Sequence, residues 1–592
     1  ARIAVLAAAS AAFLAVHHIR KPLLAGPFGY VLADPDSYQH WGLVRRALDG
    51  EGVRIHWMPA DNAPFGRFNE WQSPLTILGV AAVRAVETVT GWPRDRALEL
   101  TGLWFGPILG AAGLTIVAWL GWRAGGWPLA ACWLIAWTPA PQVLRVTQMG
   151  NTDHHSLHQI LCAIMLGAPL AWAARPGVSG GILTGLAGAA AFWSGASELL
   201  PAWLLVAALA VWETAHHESA PAAFWRAWWV TGALATFAAL LFEFWPQPFH
   251  RHLEFLSIWH VALWLVTGAL LEHLRHVPPT PRRLVLPLAL ATLTALLVAG
   301  ALRGFDWARL HVTQDPRFIW QMTVTAEFTS YANVPFGDAV EKAWFNYGAL
   351  PVVCLGLAAV ARRFTLRTRW SLLAAGFFAV LGFYQMRWET FFAVALILAA
   401  GAAVGEWQRS RPLVAVALMA VAALPCWLFV RTIWEEARPY RAQPALGLHG
   451  TTFGLDAVAR CLRREAPGSI VLAPWDQSGI LAGMGGVRTI GTGYWSNLDG
   501  LFEAYELLTT DSTERFRELF EKRQIQYLLA RDPPAFAGDI AWAFVARHGR
   551  VPTRAEIENT VVWKIADHPH APVADCPEVR QVVPHWKLIR LR

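Results

Sequence analysis

The sequence predicts a polytopic α-helical membrane protein of about thirteen spans, with an α/β domain at its C-terminal end. Three observations predict it. Of 592 residues, 55% are hydrophobic and only 15% charged, whereas soluble domains average near a quarter charged. Apolar runs long enough to cross a bilayer recur through the first three quarters of the chain. After residue 431 the sequence turns polar and mixes strand and helix patterns.

Residues 1–17 are apolar and lack the basic start and cleavage site of a signal peptide, so they read as a first span. Residues 18–98 carry Pro, Gly and charges and predict a long loop. Within it, 74–92 is amphipathic and interrupted by Arg84 and Glu87, the pattern of an interfacial helix. Spans follow near 101–122, 126–143, 158–174, 179–195, 198–214, 226–245, 253–271 and 284–302. A second long loop covers 303–343, and spans resume near 344–361, 370–384, 388–405 and 412–431. Residues 1–431 thus predict a membrane domain. In the remainder, 432–592, SIVLAP and IQYLLA read as short buried strands around an amphipathic TERFRELFEKRQ helix.

Charge tests this order independently of hydropathy. One alternate set of connections holds Arg123, Arg175, Arg226, Arg282, Arg283, Arg362, Arg363, Arg367, Arg369, Arg409 and Arg411. The other short connections hold little more than Arg145, Arg251 and Arg387. The Arg-rich set is the cytoplasmic one by the positive-inside bias. The opposite side then receives the loops of Asp36, Asp153 and Glu327, the turn at Arg387 and the tail. A true span at 74–92 would break this parity. The net charge of +7 is spread over short loops, which argues against nucleic acid as a partner and for a lipid bilayer. The 33 Trp predict anchoring at the headgroup level. Cys132, Cys162, Cys354 and Cys426 fall in spans and read as inert core. Cys461 and Cys576 fall in the tail and are free to pair if it is extracytoplasmic; the sequence leaves this open.

Carboxylates are scarce in such a chain, and those at membrane edges are functional candidates by default. Asp34 and Asp36 stand in ADPDSYQHW, Asp153 in GNTDHHSLH and Glu327 in TVTAEF. Either early Asp would also cap a helix beginning near Tyr38. Converging on one side, carboxylates with one His suit Mg²⁺ or Mn²⁺, the His tilting the choice toward Mn²⁺. His154 and His155 are adjacent and point in different directions, so one of them is the ligand. A hard cation so held would neutralise a departing phosphate or diphosphate. Arg387 in YQMRWETFF is either a topology residue or a charge-assisted contact to a lipid-linked phosphate. Arg145 has the same two readings. APWDQSG follows a predicted strand; Trp475 and Asp476 there form either a plain turn or an indole wall and carboxylate for an acceptor.

Taken in order, these segments resemble the catalytic subunit of oligosaccharyltransferase, over essentially the whole chain. DSYQH at 36–40 is similar to the family's first acidic motif, which favours Asp36 over Asp34. GNTDHH at 150–155 is similar to the second and implies Asp153 and His155. TVTAE at 323–327 is similar to TIxE and implies Glu327. MRW at 386–388 resembles the diphosphate-binding motif and implies Arg387, and PWDQSG resembles WWDYG and implies Trp475 and Asp476. Pro474, Gln477 and Ser478 depart from that last motif, and the Thr of TIxE is out of register. The resemblance implies a C-type glycosyltransferase fold and inverting transfer of a glycan from a polyprenyl-diphosphate carrier to Asn of an Asn-x-Ser/Thr acceptor polypeptide. It implies Asp36, Asp153, His155 and Glu327 around Mn²⁺ or Mg²⁺, with Asp36 and Glu327 also orienting the acceptor amide. It implies a single active subunit in the plasma membrane, with its site and C-terminal domain on the extracytoplasmic side. The rival readings are another polyprenyl-phosphate-sugar-dependent transferase with a different acceptor, a transporter of the lipid-linked glycan, and a non-enzymatic assembly subunit.

Overall fold

Among the described residues, helices dominate up to residue 437, and β-structure is confined to two short hairpins and one four-stranded sheet. The computed structural model describes residues 2–19, 21–69, 71–173, 177–215, 222–247, 255–276, 317, 331, 334–437 and 450–591. Glu327, the predicted 284–302 span and nearly all of the 303–343 loop lie outside the described residues.

The predicted spans correspond to helices Arg2–His18, Arg94–Trp137, His155–Ala171, Val178–Ala215, Ala222–Phe244, Ile258–His276, Leu366–Tyr384, Glu389–Trp407 and Pro412–Ala437. Five segments among the described residues are long and apolar enough to cross a membrane: Arg94–Trp137, Val178–Ala215, Ala222–Phe244, Met386–Trp407 and Pro412–Thr432. The first holds two predicted spans. It breaks at Gly125–Gly126, where Gly126 takes φ +74°. The chain then reverses, so that Gly121 lies against Ala130 and Trp133. Near 344–361 the structure has two shorter helices, Phe336–Tyr347 and Leu350–Ala358, parted by Gly348 at φ +59°. The helix predicted at 253–271 sits several residues later, at Ile258–His276. The 74–92 stretch forms Pro74–Thr90, stopped by Gly91 in the left-handed region. It buries Leu75, Thr76, Gly79 and Val83 and leaves Arg84 and Glu87 paired on its outer face.

Two features of the bundle differ from expectation. Trp133, Trp137, Trp203, Trp225, Trp228 and Trp264 are fully buried and are not interfacial anchors. Trp264 packs edge-on to Trp203 and Trp228 at 5.2 and 4.8 Å, against the bare backbone of Gly188 and Gly232. Membrane helices associate through such small-residue close packing, and an indole fills the hollow that two glycines leave. Arg367, read as a topology residue, is 6% exposed and forks onto Glu213 (2.6 and 3.0 Å), which also accepts from Trp225 at 2.9 Å. Buried charge is tolerated there because both partners are hydrogen-bonded.

The C-terminal domain has strand order Arg488–Thr489, Ile470–Leu472, Tyr527–Ala530, Lys587–Arg590, the first three parallel and the last antiparallel. Its two central strands are buried throughout, as a covered parallel sheet requires. Ser512 caps Thr513–Arg523, the helix read from TERFRELFEKRQ. Cys461 and Cys576 are joined in a disulfide. The domain is tied to the first long loop. Thr489 pairs by backbone with Ala60 and Ala63 (2.8 and 2.9 Å), and fully buried Asp61 binds Arg67, Thr492 and Asn497.

Candidate functional site

Helix Pro35–Arg46 carries the first acidic motif. Asp34 is its N-cap, accepting from the Ser37 amide at 2.7 Å, and Pro35 takes the first helical position where its missing N–H costs nothing. The cap reading therefore falls on Asp34 alone, and Asp36 is left in the first turn with its carboxylate outside the capping role. That carboxylate accepts from the Tyr494 hydroxyl of the C-terminal domain at 2.5 Å. Tyr494 in turn lies under Arg67 (4.4 Å to the ring) and edge-on to Trp71 at 4.8 Å.

The second motif docks directly on the first. The Ala33 amide donates to the Gly150 carbonyl at 3.0 Å, and Gly150 at φ +75° makes the turn that permits it. Thr152 bonds Ser37 twice, at 3.0 and 2.7 Å, and Asn151 reaches Asp34 at 3.3 Å. Asp153, 7% exposed, is thereby held beside the 35–46 helix. One of its oxygens faces His154 Nδ1 at 2.6 Å and His40 Nε2 at 3.6 Å, and the other binds His155 Nδ1. His40 also meets His154 at 3.1 Å and lies tilted against the Trp71 ring at 4.1 Å. Burial raises the Asp153 carboxyl, but the His154 and His155 imidazoles outweigh it and hold it well below the usual carboxylate range. Burial and the nearby Asp153 push Asp34 up to about 6. Burial brings the His40 imidazole down to about 4, leaving it neutral and able to ligate.

Behind this pair lies a carboxylate that sequence reasoning missed. Val178–Ala215 breaks at Gly195, whose missing side chain admits the His158 ring; a Cβ there would stand 2.2 Å from His158 Cε1. The kink turns Glu198 toward the same cluster. Glu198 Oε2 lies 2.9 Å from His158 Nδ1, 3.6 Å from His154 Nε2 and 3.9 Å from His155 Nε2. Its other oxygen binds Arg387, which sits in the 386–388 turn between two predicted spans. Arg387 therefore belongs to this constellation and not only to membrane topology. His40, His158, Glu198 and Tyr494 were not singled out. The i, i+4 spacing of His154 and His158 was the available signal for one of them. Glu198 inside an apolar run was another.

Among the described residues, two groups offer ligand atoms mutually within 4.8 Å: His40, Asp153 and His154, and His154, His158 and Glu198. Imidazole nitrogens with buried carboxylate oxygens are a suitable donor set for a divalent transition ion. Of the predicted set, Asp153 and His155 are in contact, Asp36 is on the adjoining helix, and Glu327 is outside the described residues.

Trp475 and Asp476 open helix Trp475–Met484, so the segment read as a turn is a helix start. Trp475 is half-buried, stacked on Trp542 at 5.3 Å and pressed against Gly493, where a Cβ would come within 2.6 Å of the ring. Asp476 is exposed beside it. The departures from the motif face inward: Gln477 points at Asp539 and Ser478 bonds the Ala473 carbonyl at 3.0 Å. This helix lies across 35–46. Gln39 donates to the Gly479 carbonyl at 2.6 Å, and Gly42 meets Gly483 so closely that a Cβ on Gly42 would be 2.9 Å from the facing carbonyl.

These parts make one architecture: a multi-pass helical bundle, an acid–histidine cluster at its loop-bearing edge and an α/β domain seated on that edge. No family model and no curated protein matches the sequence. Solved structures do, among them several of the archaeal oligosaccharyltransferase AglB from Archaeoglobus fulgidus. The complex of that protein with an inhibitory peptide and a dolichol-phosphate aligns with TM-score 0.71 and 15% identity, over 95% of this chain and 77% of that one. The form tethered to an acceptor peptide containing the NVT sequon gives 0.68 and 14%, over 95% and 78%. The complex with Zn and sulfate gives 0.66 and 15%, over 91% and 70%. At this identity the likeness is one of fold.

Proposed function

We propose that this chain is an oligosaccharyltransferase, moving a glycan from a polyprenyl-diphosphate carrier to the Asn side chain of an Asn-x-Ser/Thr polypeptide. One observation carries the reading. Consecutive residues of the outer domain, Gly493 and Tyr494, touch the Trp475 ring and the Asp36 carboxylate respectively. The pair suited to reading an acceptor residue and the acid suited to orienting an acceptor amide are thus linked across one peptide unit. An Asn and the residue two beyond it are separated by about 7 Å in extended chain, a comparable scale. The AglB structures in complex with a dolichol-phosphate and tethered to an acceptor peptide containing the NVT sequon have a similar fold.

In this reading Asp36, Asp153 and His155, together with Glu327, hold Mn²⁺ or Mg²⁺, His40 and His154 lying close enough to share the task. A cation held there would supply positive charge against the leaving diphosphate. Arg387 contributes a charge-assisted contact to the same group, where negative charge grows in the transition state. Asp36 and Glu327 accept hydrogen bonds from the acceptor amide and aim its nitrogen at the anomeric carbon. The new C–N bond forms as the C–O bond to diphosphate breaks on the opposite face, which inverts the centre, and the nitrogen gives up one proton to one of these carboxylates. Trp475 and Asp476 hold the Ser or Thr. The disulfide in the outer domain supports an oxidising, extracytoplasmic location for that domain and site, as in a plasma-membrane protein. The whole set lies on one chain, which supports activity without partner subunits.

The test is transfer from a polyprenyl-diphosphate-linked glycan to a peptide with Asn-x-Thr or Asn-x-Ala, read by mass spectrometry. Glycosylation of the Thr peptide alone, abolished by EDTA and restored by Mn²⁺, is expected. Equal use of both peptides would reassign the acceptor, and full activity in EDTA would remove the cation from the mechanism.

A further inference from the structure

The Glu198 carboxylate is surrounded by groups that suit a phosphate better than they suit a carboxylate. Arg387 binds one oxygen; His158, His154 and His155 approach the other at 2.9, 3.6 and 3.9 Å. The side chain is 12% exposed, and it is placed there by the break at Gly195. His154 spans the two halves of the cluster, its Nδ1 on Asp153 and its Nε2 toward Glu198. Asp153 thus marks a side that attracts cations, and Arg387 with the imidazoles marks a side that attracts anions. A second cation held by His154, His158 and Glu198 is disfavoured by position, because Arg387 already contacts the same carboxylate. A fixed guanidinium beside a dication is repulsive.

We propose that Glu198 is a resident counter-anion, occupying the place of the donor's diphosphate in the empty enzyme and yielding it when the donor binds. The inference rests on the oligosaccharyltransferase reading and deepens it, by naming a residue that tunes donor affinity. Without a carboxylate there, Arg387 and His158 would lose the acceptor that they share, at a cost to the fold. With it, they stay assembled, and an incoming group of higher charge and more acceptor oxygens displaces it. Glu198 is therefore a positioning residue that acts through Arg387 and the histidines. It also sets a threshold, because only a ligand able to outbid one carboxylate enters.

The experiment measures binding of farnesyl diphosphate, a short polyprenyl diphosphate, to the detergent-solubilised full chain in EDTA, so that affinity reports side chains alone. Glu198→Gln should bind about tenfold more tightly than wild type. Glu198→Asp, which keeps the charge but draws it back from Arg387, should fall between. Adding Arg387→Gln should erase the gain. Glu198→Gln should also melt earlier when empty and recover on adding farnesyl diphosphate, and in transfer assays its donor KM should fall while kcat does not rise. A purely structural carboxylate would give weaker or unchanged binding in both variants, and either result overturns the proposal. Loss of bound Mn²⁺ in Glu198→Gln without tighter binding would make Glu198 a metal ligand, which also overturns it. The underlying reading fails separately: wild type and Arg387→Gln would then bind farnesyl diphosphate equally.

Discussion

Asp153 is the residue on which most of the site's geometry depends. Its two oxygens engage three imidazoles, and its neighbours on either side fasten the 150–155 segment to the 35–46 helix. Asp153→Asn keeps the shape but removes the charge that draws the imidazoles and a cation together. The expected result is a folded chain whose transfer rate falls by at least about a hundredfold, the usual size for losing one preorganised charge partner. Near-normal turnover would take Asp153 out of the site. Asp61 offers a contrasting case. It is fully buried and paired with equally buried Arg67, which supports the site through the Tyr494 ring but takes no part in the proposed chemistry. Asp61→Asn removes a buried counter-charge from the Arg67 guanidinium, and thermal unfolding should show a loss of about 3–5 kcal/mol. The difference in legibility between residues has a physical basis. Asp153 was legible because a carboxylate beside two His between apolar spans has no packing role. Glu198 inside an apolar run hints at function, but its partners lie 40 and 189 positions away, and a local pattern carries no trace of them.

Elements were legible where hydropathy alone decides them. The long spans and the strands at SIVLAP and IQYLLA follow directly from apolar runs. Breaks were less legible, because Gly and Pro are tolerated in membrane helices and only neighbours determine which one bends the chain. Gly195 bends because His158 claims the space over it, whereas Pro107 and Pro169 sit inside continuous helices. The crossing of 475–484 on 35–46 is likewise a property of two elements. Gly42 and Gly483 bring the backbones together, and the contact carries both Trp475 and Asp36 into register. Gly483→Val forces the helices apart. It should destabilise the seating of the outer domain by about 1–3 kcal/mol, the usual range for overpacking. Limited proteolysis of the outer domain should accelerate, with transfer falling while the melting of the helical bundle is unchanged. Unaltered proteolysis and activity would show that the two helices do not depend on close approach.

At the scale of the whole molecule, the question is what joins a bundle stabilised inside lipid to a domain stabilised in water. The hydrophobic effect operates only on the second, so the domain needs ties of its own. One tie is the Asp61–Arg67 plug with its backbone pairing to Thr489. Within the domain itself, the Cys461–Cys576 disulfide closes a segment with sequence separation 115 that holds three of the sheet's four strands. The sequence left that pairing open because its two cysteines flank nearly the whole domain, and only the tertiary fold brings them together. A crosslink acting on so long a loop stabilises mainly by restricting the unfolded chain, and losing one costs about 2–5 kcal/mol. Among six cysteines, the other four are buried free thiols in the bundle. Alkylation of the denatured protein without reductant should therefore label Cys132, Cys162, Cys354 and Cys426 and spare Cys461 and Cys576. Cys461→Ser with Cys576→Ser should lower the outer domain's unfolding free energy by that same range, and transfer at elevated temperature should fail before the bundle melts. Labelling of all six cysteines in protein taken from an oxidising compartment would mean the crosslink does not form, and the sheet would then have to hold its place on the 35–46 helix by packing and hydrogen bonds alone.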